Sequence, residues 1–397
     1  MKISHLITTR RSFFCLAALA TFTFQAAFGQ DESTSAANSA KRPPTSGLIR
    51  VGEPVLVRNL EVFPLLGPDM QSQRTYLTLT EAMEKKLLKV VETSSVNELK
   101  LENVSKTDYV YIQAGDIVKG GRQDRTLAYD LIVPPSSGIM PLASFCVEHG
   151  RWQQRGGESA AAFSSSSKQV IGKEMKYAVK GAKNQSEVWN QVGEKQKSIN
   201  ANASSLSGKA VDVTQNASGS SLQLTLENKE LQEILAELKK KTLESLRSHP
   251  DALGVGYAIN GRVVNIDLYG TASLFSKLED KLADTAAAEA LSELKNPKAP
   301  APAHVQPGVI LEFLGPRDLS GAKLSNPNKQ TEWREKETAQ SATYESRDVD
   351  FPTAICHRNV IEVTAEMKKA VKEQQSMQQR RINQAPQQQN NIQQRQQ

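Results

Sequence analysis

The stretch AGDIVKGGRQDRT, residues 114–126, carries the densest set of side chains able to do chemistry. Arg122, Arg125 and a further arginine, Arg151, could join the Gly120-Gly121 backbone amides to cradle a phosphate or carboxylate, because guanidinium groups and convergent N–H groups both favour anions. Asp116, Asp124 and Glu148 supply enough carboxylate to neutralise the same arginines, which is the competing structural reading. Both remain open from the residues alone. If Gly120-Gly121 is a two-residue hairpin loop, Lys119 faces Arg122 and Asp116 faces Arg125. The first of these is a like-charge pair, which needs either splayed side chains or a shared anion.

Other chemistries fare worse. Cys146-x-x-His149 and Cys356-His357 supply thiols and imidazoles, but adjacent residues on a strand point to opposite faces, so no metal site is expected. Cys146 in ASFCV reads as a small buried residue rather than a nucleophile. The Gly-Gly sequence lacks the Walker spacing and the following Lys-Ser/Thr, and no serine-nucleophile, paired-acid or nucleotide fingerprint stands out. No cofactor is expected. Trp152 and Trp189 read as packing residues.

The elements around these residues read as follows. VLVRNLEVFPLL is a strand, with Pro64 placing it at an edge or strand end. Thr78 and Glu81 form a capping box on a short helix, with Glu81 and Lys85 as an i,i+4 pair. NELKLENV, DYVYIQA, RTLAYDLIV and IMPLASFCV alternate as strands. Residues 164–221 read as a polar helical or low-complexity insert, with little reason to fold over 200–221. Leu231, Ile234, Leu235 and Leu238 mark an amphipathic helix. LGVGYAINGRVVNIDLYG is a hairpin around Asn260-Gly261, pairing Tyr257 with Val264, Val255 with Ile266 and Leu253 with Leu268 on one apolar face. A helix with Leu274, Leu278 and Leu282 on one stripe follows.

Composition sets the boundaries. Lys2, Arg10 and Arg11 precede an apolar stretch from Phe13 to Phe24 and small residues at Ala27-Phe28-Gly29, which read as an export signal over 1–29, with Arg10-Arg11 compatible with a twin-arginine route. A linker covers 30–47, the main domain 48–295, a proline-rich linker 296–307, a β-containing segment 308–363, and a Gln-rich disordered tail 364–397. The net charge is +6; three positive charges in the signal and a net four in the tail leave the body at −1. The basic balance therefore does not indicate specific nucleic-acid binding, although the tail could contact an acidic surface. With the signal removed, no membrane span is expected and the chain is placed in the periplasm or outside the cell. Cys146 and Cys356 then remain as a candidate disulfide.

The fold class read from these features is α+β: a mostly antiparallel, sandwich-like β core with inserted polar helices and a separate β-hairpin–helix unit. The strings LEVFPL, GDIVKGGRQDRT, LIVPPSSGIMPLASFCVEHGRW and GVGYAINGRVVNIDLYGTASLFSKL together resemble the ARG-and-rhodanese-phosphatase-superfamily-associated protein domain over Leu60 to Leu282. The family pattern falls on Asp116, Gly120, Gly121, Arg122, Gln123, Arg125 and Thr126, and on Cys146, Val147, Glu148, Gly150, Arg151 and Trp152. Asp124 and His149 look like departures from it. The resemblance implies a gene-neighbourhood link to ADP-ribose and NAD processing, and no established activity. Two functions follow as expectations: a module that binds or processes a small anionic ligand, with Asp116, Gly120, Gly121, Arg122, Gln123, Arg125, Glu148 and Arg151 as its contacts, or an exported scaffold that binds macromolecules through its polar helices and tail. Convergence of Arg122, Arg125 and Arg151 in one concave site would favour the first, and their dispersal into separate ion pairs the second.

Overall fold

Asn260 and Gly261 lie at φ +53° and +77°, the left-handed pair that a two-residue hairpin turn requires. The strands Ala252–Ile259 and Arg262–Tyr269 run back from it. Ile259 faces Arg262 and Ala258 faces Val263, but Tyr257 then faces Asn265, Val255 faces Asp267 and Gly254 faces Leu268. One residue, Val264, is extra on its strand. The expected pairings of Tyr257 with Val264, Val255 with Ile266 and Leu253 with Leu268 therefore do not form. A bulge opposes two residues to one, and every side chain past it changes face relative to its partner strand. Asn265 and Asp267 join the face of Tyr257 and Val255. The hairpin is buried on both faces, so alternation of apolar and polar residues could not fix its register.

These coordinates are a computed structural model that describes residues 49–70, 73–214, 218–296, 300–377 and 379–380, without the side chains of Ser94, Ser164 and Ser165. The signal expected over 1–29, the linker over 30–47 and the tail from 381 onward lie outside the described residues. Among those described, no helix is long and apolar enough to cross a membrane.

The hairpin is not a separate unit. It forms the middle of a nine-stranded antiparallel sheet that runs from Arg50–Val51 through Leu60–Leu66, the two hairpin strands, His357–Glu362, Ser341–Asp348 and Thr331–Glu337 to Lys323–Ser325. The ninth strand, Val55–Val57, also pairs with Leu60–Leu66. Pro64 sits inside this sheet rather than at an edge. It faces Val255 on one side, and on the other it falls between Val55–Val57, which pairs with residues 60–62, and Arg50–Val51, which pairs with 65–66. The missing N–H of proline is therefore not needed there.

A closed six-stranded barrel adjoins the sheet: Ile139–Cys146, Glu98–Asn103, Leu88–Ser95, Ala162–Val170, Asp116–Gly120 and Arg125–Leu127. Pairing of Cys146 with Arg125 closes it. A three-stranded sheet, Leu131–Val133, Tyr109–Ile112 and Tyr76–Thr78, completes the β structure. With its helices the protein is α+β, and its antiparallel core is a sheet plus a barrel rather than a sandwich. The capping box on Leu79–Glu84 forms as expected, Thr78 Oγ1 accepting from the Glu81 amide and Glu81 accepting from the Thr78 amide.

The described residues of the polar insert are ordered. Its first residues belong to the barrel strand Ala162–Val170. The helix Gln185–Ser207, capped by Asn184 and ended by Gly208 at φ +69°, buries Val188, Val192, Ile199 and Ala203 in the main core. The Asn200 side chain accepts from the Val213 amide, which explains how a chain of small polar residues is held. A few apolar side chains at helical spacing sufficed, because they meet a large preformed core. The C-terminal end of the proline-rich segment is also tied down. Glu61 accepts from the Val305 amide and bonds His304 Nδ1 at 2.7 Å. The segment 308–363 extends the same sheet as the hairpin. Residues 365–377 are helical and bury Met367 and Val371, so order reaches past the expected start of the tail at 364.

Candidate functional site

The loop between Val118 and Arg125, which face each other across the barrel, spans residues 119–124 and is therefore longer than the two-residue turn expected. Gly120 and Gly121 lie at φ +115° and +57°. A Cβ on Gly121 would sit 2.5 Å from Phe163 and 2.6 Å from the Glu92 carboxylate, so both backbone conformation and space demand glycine.

Asp116 does not reach Arg125. Its carboxylate takes Lys281 Nζ at 2.6 Å and the Gln113 amide at 3.0 Å. Lys119 pairs with Glu227, which removes the like-charge contact with Arg122. Arg125 is fully buried, donates to the Val96 carbonyl at 2.9 Å, meets Cys146 Sγ, and lies 3.4 Å from both Glu92 oxygens. Gln123 is buried.

Glu148 and Arg151 turn inward and meet Asp124, one of the acids expected to neutralise arginines here, and Arg155, which was not expected. Arg155 grips Asp124 with two bonds of 2.8 and 3.0 Å and reaches Glu158 at 2.9 Å. Arg151 Nε donates to Glu148 at 2.7 Å, and its terminal nitrogens donate to the Gly121 and Gly120 carbonyls at 3.3 and 3.4 Å. Asp124 also accepts from the Gly120 amide and from Ser221, while Glu148 accepts from the Asp124 amide. The four charges cancel within one buried cluster. Burial raises the Asp124 carboxyl above its ordinary range against the pull of Arg155. Burial would raise Glu148 too, but bonds from Arg151 and the Asp124 amide more than offset it and hold that carboxyl low.

Arg122 alone among these arginines has no carboxylate within ion-pair distance among the described residues. Its backbone amide donates to Glu92 at 3.0 Å, and its half-buried guanidinium lies 5.9 Å from the Trp152 ring centre. Trp152 is 43% exposed and also has Arg125 at 5.5 Å, so it is not the buried packing residue expected. The expected contact set thus divides: Arg125, Glu148, Arg151 and Asp116 serve internal pairs, and Arg122 with Trp152 faces outward.

Cys146 and Cys356 are free thiols, not a disulfide. Cys146 sits on the barrel beside Arg125, its thiol pushed up to about 11 by burial; Cys356 lies in the main core, where burial likewise raises it. Among the described residues no group of three or more His, Cys, Asp or Glu side chains could hold a metal ion.

A second polar constellation was not expected. His357 Nδ1 meets Asp130 at 2.8 Å and its Nε2 meets Asp267 at 3.0 Å. Lys176 Nζ donates to Asn265 at 3.0 Å and lies 3.5 Å from Asp267, while Lys180 Nζ donates to Asn359 at 3.1 Å. Lys180 rides on a π-helical turn, Tyr177–Ala182. None of these five ionisable side chains is more than 1% exposed. Burial would lower the His357 pKa, but the two carboxylates raise it, and with a carboxylate against each ring nitrogen the geometry suits the doubly protonated ring. Two lysines and this imidazolium face two carboxylates, an excess of one cation. Burial and the neighbouring Lys176 push Lys180 down to about 8. The Tyr111 hydroxyl and Gln113 Nε2 nearby are buried without a hydrogen-bond partner among the described residues. The signal in the sequence was Asn265 and Asp267 within an otherwise apolar strand and the pair Lys176 and Lys180 four residues apart. The bulge at Val264 and the last strand were needed to join them.

The family model for the ARG and Rhodanese-Phosphatase-superfamily-associated Protein domain matches residues 48–365. The match extends beyond the Leu60–Leu282 stretch that carried the resemblance, and takes in the polar helices, the proline-rich segment and the C-terminal strands. No curated protein and no solved structure matches the chain.

Proposed function

The chain belongs to the ARG and Rhodanese-Phosphatase-superfamily-associated Protein domain family, and from that premise we propose that it is a binding module for a small anionic ligand, engaged at the barrel rim by Arg122 and Trp152. One observation carries the reading. Every other arginine of the rim is neutralised by a buried carboxylate, whereas Arg122 has no carboxylate partner among the described residues and stands beside a half-exposed indole. A guanidinium beside an aromatic face suits a ligand with a phosphate and a planar ring. ADP-ribose and nucleotides have that chemistry, and the gene-neighbourhood link of the family points the same way. The dispersal of Arg125 and Arg151 into internal pairs supports the other reading, a scaffold that needs no small ligand.

A thermal-shift screen of the mature chain with phosphate, ribose 5-phosphate, AMP and ADP-ribose separates the two. A ligand at a hundredfold excess over its Kd adds about 2.7 kcal/mol. Arg122→Ala and Trp152→Ala should each remove that shift without lowering the unliganded melting temperature. A flat response of the wild-type protein to all four compounds leaves the scaffold reading. The same proposal places the protein outside the cytoplasm, on the basis of the basic start, the Phe13–Phe24 apolar stretch and the small residues before Gln30. N-terminal sequencing of the natural protein should begin near Gln30 or Asp31, and an intact Met1 would overturn that placement.

A further inference from the structure

A cavity of about 560 Å³ opens where the helix Gln185–Ser207 meets the loop after Cys146 and the C-terminal helix. We propose that it is a binding site for a neutral saccharide. The side chains that carry this are His149, Trp189, Asn190, Gln196, Ser220 and Gln374. None of the described residues lining the cavity is Lys, Arg, Asp or Glu, so none of them selects an ion. Amides and hydroxyls both donate and accept, which matches a ligand made of hydroxyl groups. The volume lies in the range of small-ligand sites.

The aromatic part of the wall is held in place. Trp189 Nε1 donates to the Glu148 carbonyl at 3.1 Å, and the His149 and Trp189 rings meet edge to face at 4.7 Å. The His149 amide donates to Ser220 Oγ at 3.2 Å, and the Ser220 hydroxyl donates back to the His149 carbonyl. Gln196 Nε2 is taken by the Gly219, Ser221 and Thr225 oxygens and Asn190 Nδ2 by Glu187, but other polar tips are less committed. The Ser186 hydroxyl, the Gln374 amide and the His149 ring nitrogens make no hydrogen bond to the described residues. Fixed rings with unspent polar tips are what a sugar needs, an apolar face to cover its C–H groups and partners for its hydroxyls.

Gly193 is an independent pointer. It lies in the interior of the 23-residue helix, where glycine costs about 1 kcal/mol relative to alanine. A Cβ there would meet nothing within 4 Å, so packing does not require glycine. Gly193 lines the cavity, and its missing side chain keeps that wall open.

The test uses the full mature chain on an array of neutral and anionic oligosaccharides, followed by calorimetric titration of the best neutral hit. Neutral glycans should be retained in preference to anionic ones. Gly193→Phe should weaken that binding roughly tenfold or more by steric exclusion, and Gly193→Ala should weaken it less, with neither variant melting below wild type. Arg122→Ala should leave it unchanged, which separates this site from the barrel rim. Absence of any neutral hit, preference for anionic glycans or peptides, unaltered affinity in Gly193→Phe, or loss of binding in Arg122→Ala would each overturn the proposal. If Gly193→Phe fails to fold, Gly193→Ala and Gln374→Ala carry the same comparison.

Discussion

The barrel rim and the centre of the large sheet both bury ionised groups, and they solve the problem differently. At the rim, Asp124 and Glu148 meet Arg151 and Arg155. The charges of these four balance, with Glu158 adding a carboxylate to Arg155 at the partly exposed edge, and all four residues come from within 32 positions of chain. In the sheet centre, Asp130 and Asp267 meet Lys176 and His357, and Lys180 lies close by on Asn359, the set being drawn from segments as far apart as residues 130 and 357. There the charges do not balance, and one lysine is driven toward its neutral form. A local cluster can be matched charge for charge by neighbouring sequence. A long-range cluster depends on the register of several strands, and a titratable group absorbs the mismatch.

The largest effect should come from unbalancing the sheet centre further. Asp267→Ala leaves Lys176 and His357 facing one carboxylate, and breaking a buried pair on one side costs about 3–5 kcal/mol. Urea unfolding would measure it, and a loss under about 1 kcal/mol would show that this cluster is wet or loosely held. Arg155→Met at the rim should come next, near the lower end of that range, because Asp124 keeps Ser221 and the Gly120 amide. If it costs more than Asp267→Ala, locality does not soften the loss of a charge.

The pH dependence distinguishes the regions more finely. The Lys180 pKa is depressed in the folded protein to about 8, while an unfolded lysine titrates near 10.4. Between those values the unfolded chain binds more protons, so this residue makes stability rise with pH over about 8 to 10.4 and imposes its full penalty below. Lys180→Met should therefore be more stable relative to wild type at pH 7 than at pH 10, by on the order of 1–3 kcal/mol. A constant difference across that window would place the titration elsewhere. Arg155→Met should show no such trend over the same window, because guanidinium stays charged there.

Gly261→Val puts a β-branched side chain at φ +77° and should cost on the order of 1–2 kcal/mol, since it strains the turn that sets the hairpin register. Unfolding by denaturant would read it, and an unchanged midpoint would show that another element holds the register. Arg122→Ala should be smallest, within about 0.5 kcal/mol, because no carboxylate loses a partner. A larger loss by differential scanning would mean that the rim cluster extends to Arg122.

Local signals were readable in the sequence. Thr78 and Glu81 announced a capping box, and Asn260-Gly261 a two-residue turn, because both depend on residues a few positions apart. What failed depended on distant partners. Glu81 pairs with Lys277 rather than Lys85, and Asp116 with Lys281 rather than Arg125. At the rim, the motif residues were identified but not their partners Glu92 and Arg155, which lie outside the glycine-arginine string. Trp152 was read as core and is half-exposed. The sheet centre escaped notice because a single bulged residue decides which face Asn265 and Asp267 occupy, and no propensity at Val264 announces it.

The last strand, His357–Glu362, has a kinetic consequence. It pairs with Arg262–Tyr269 on one side and Ser341–Asp348 on the other, and Leu60–Leu66 pairs with a strand nearly 200 residues later. Contacts at such separations make folding slow, because loop closure must precede any gain from pairing. A nascent chain that has not yet reached His357 holds Asp130 and Asp267 without the imidazolium that bridges them, and exposes the open edge of Arg262–Tyr269. Such an edge invites pairing with other chains. Between the synthesis of Asp267 and that of His357, about 90 residues later, the protein is therefore an unfinished sheet whose two central carboxylates lack the side chain that joins them.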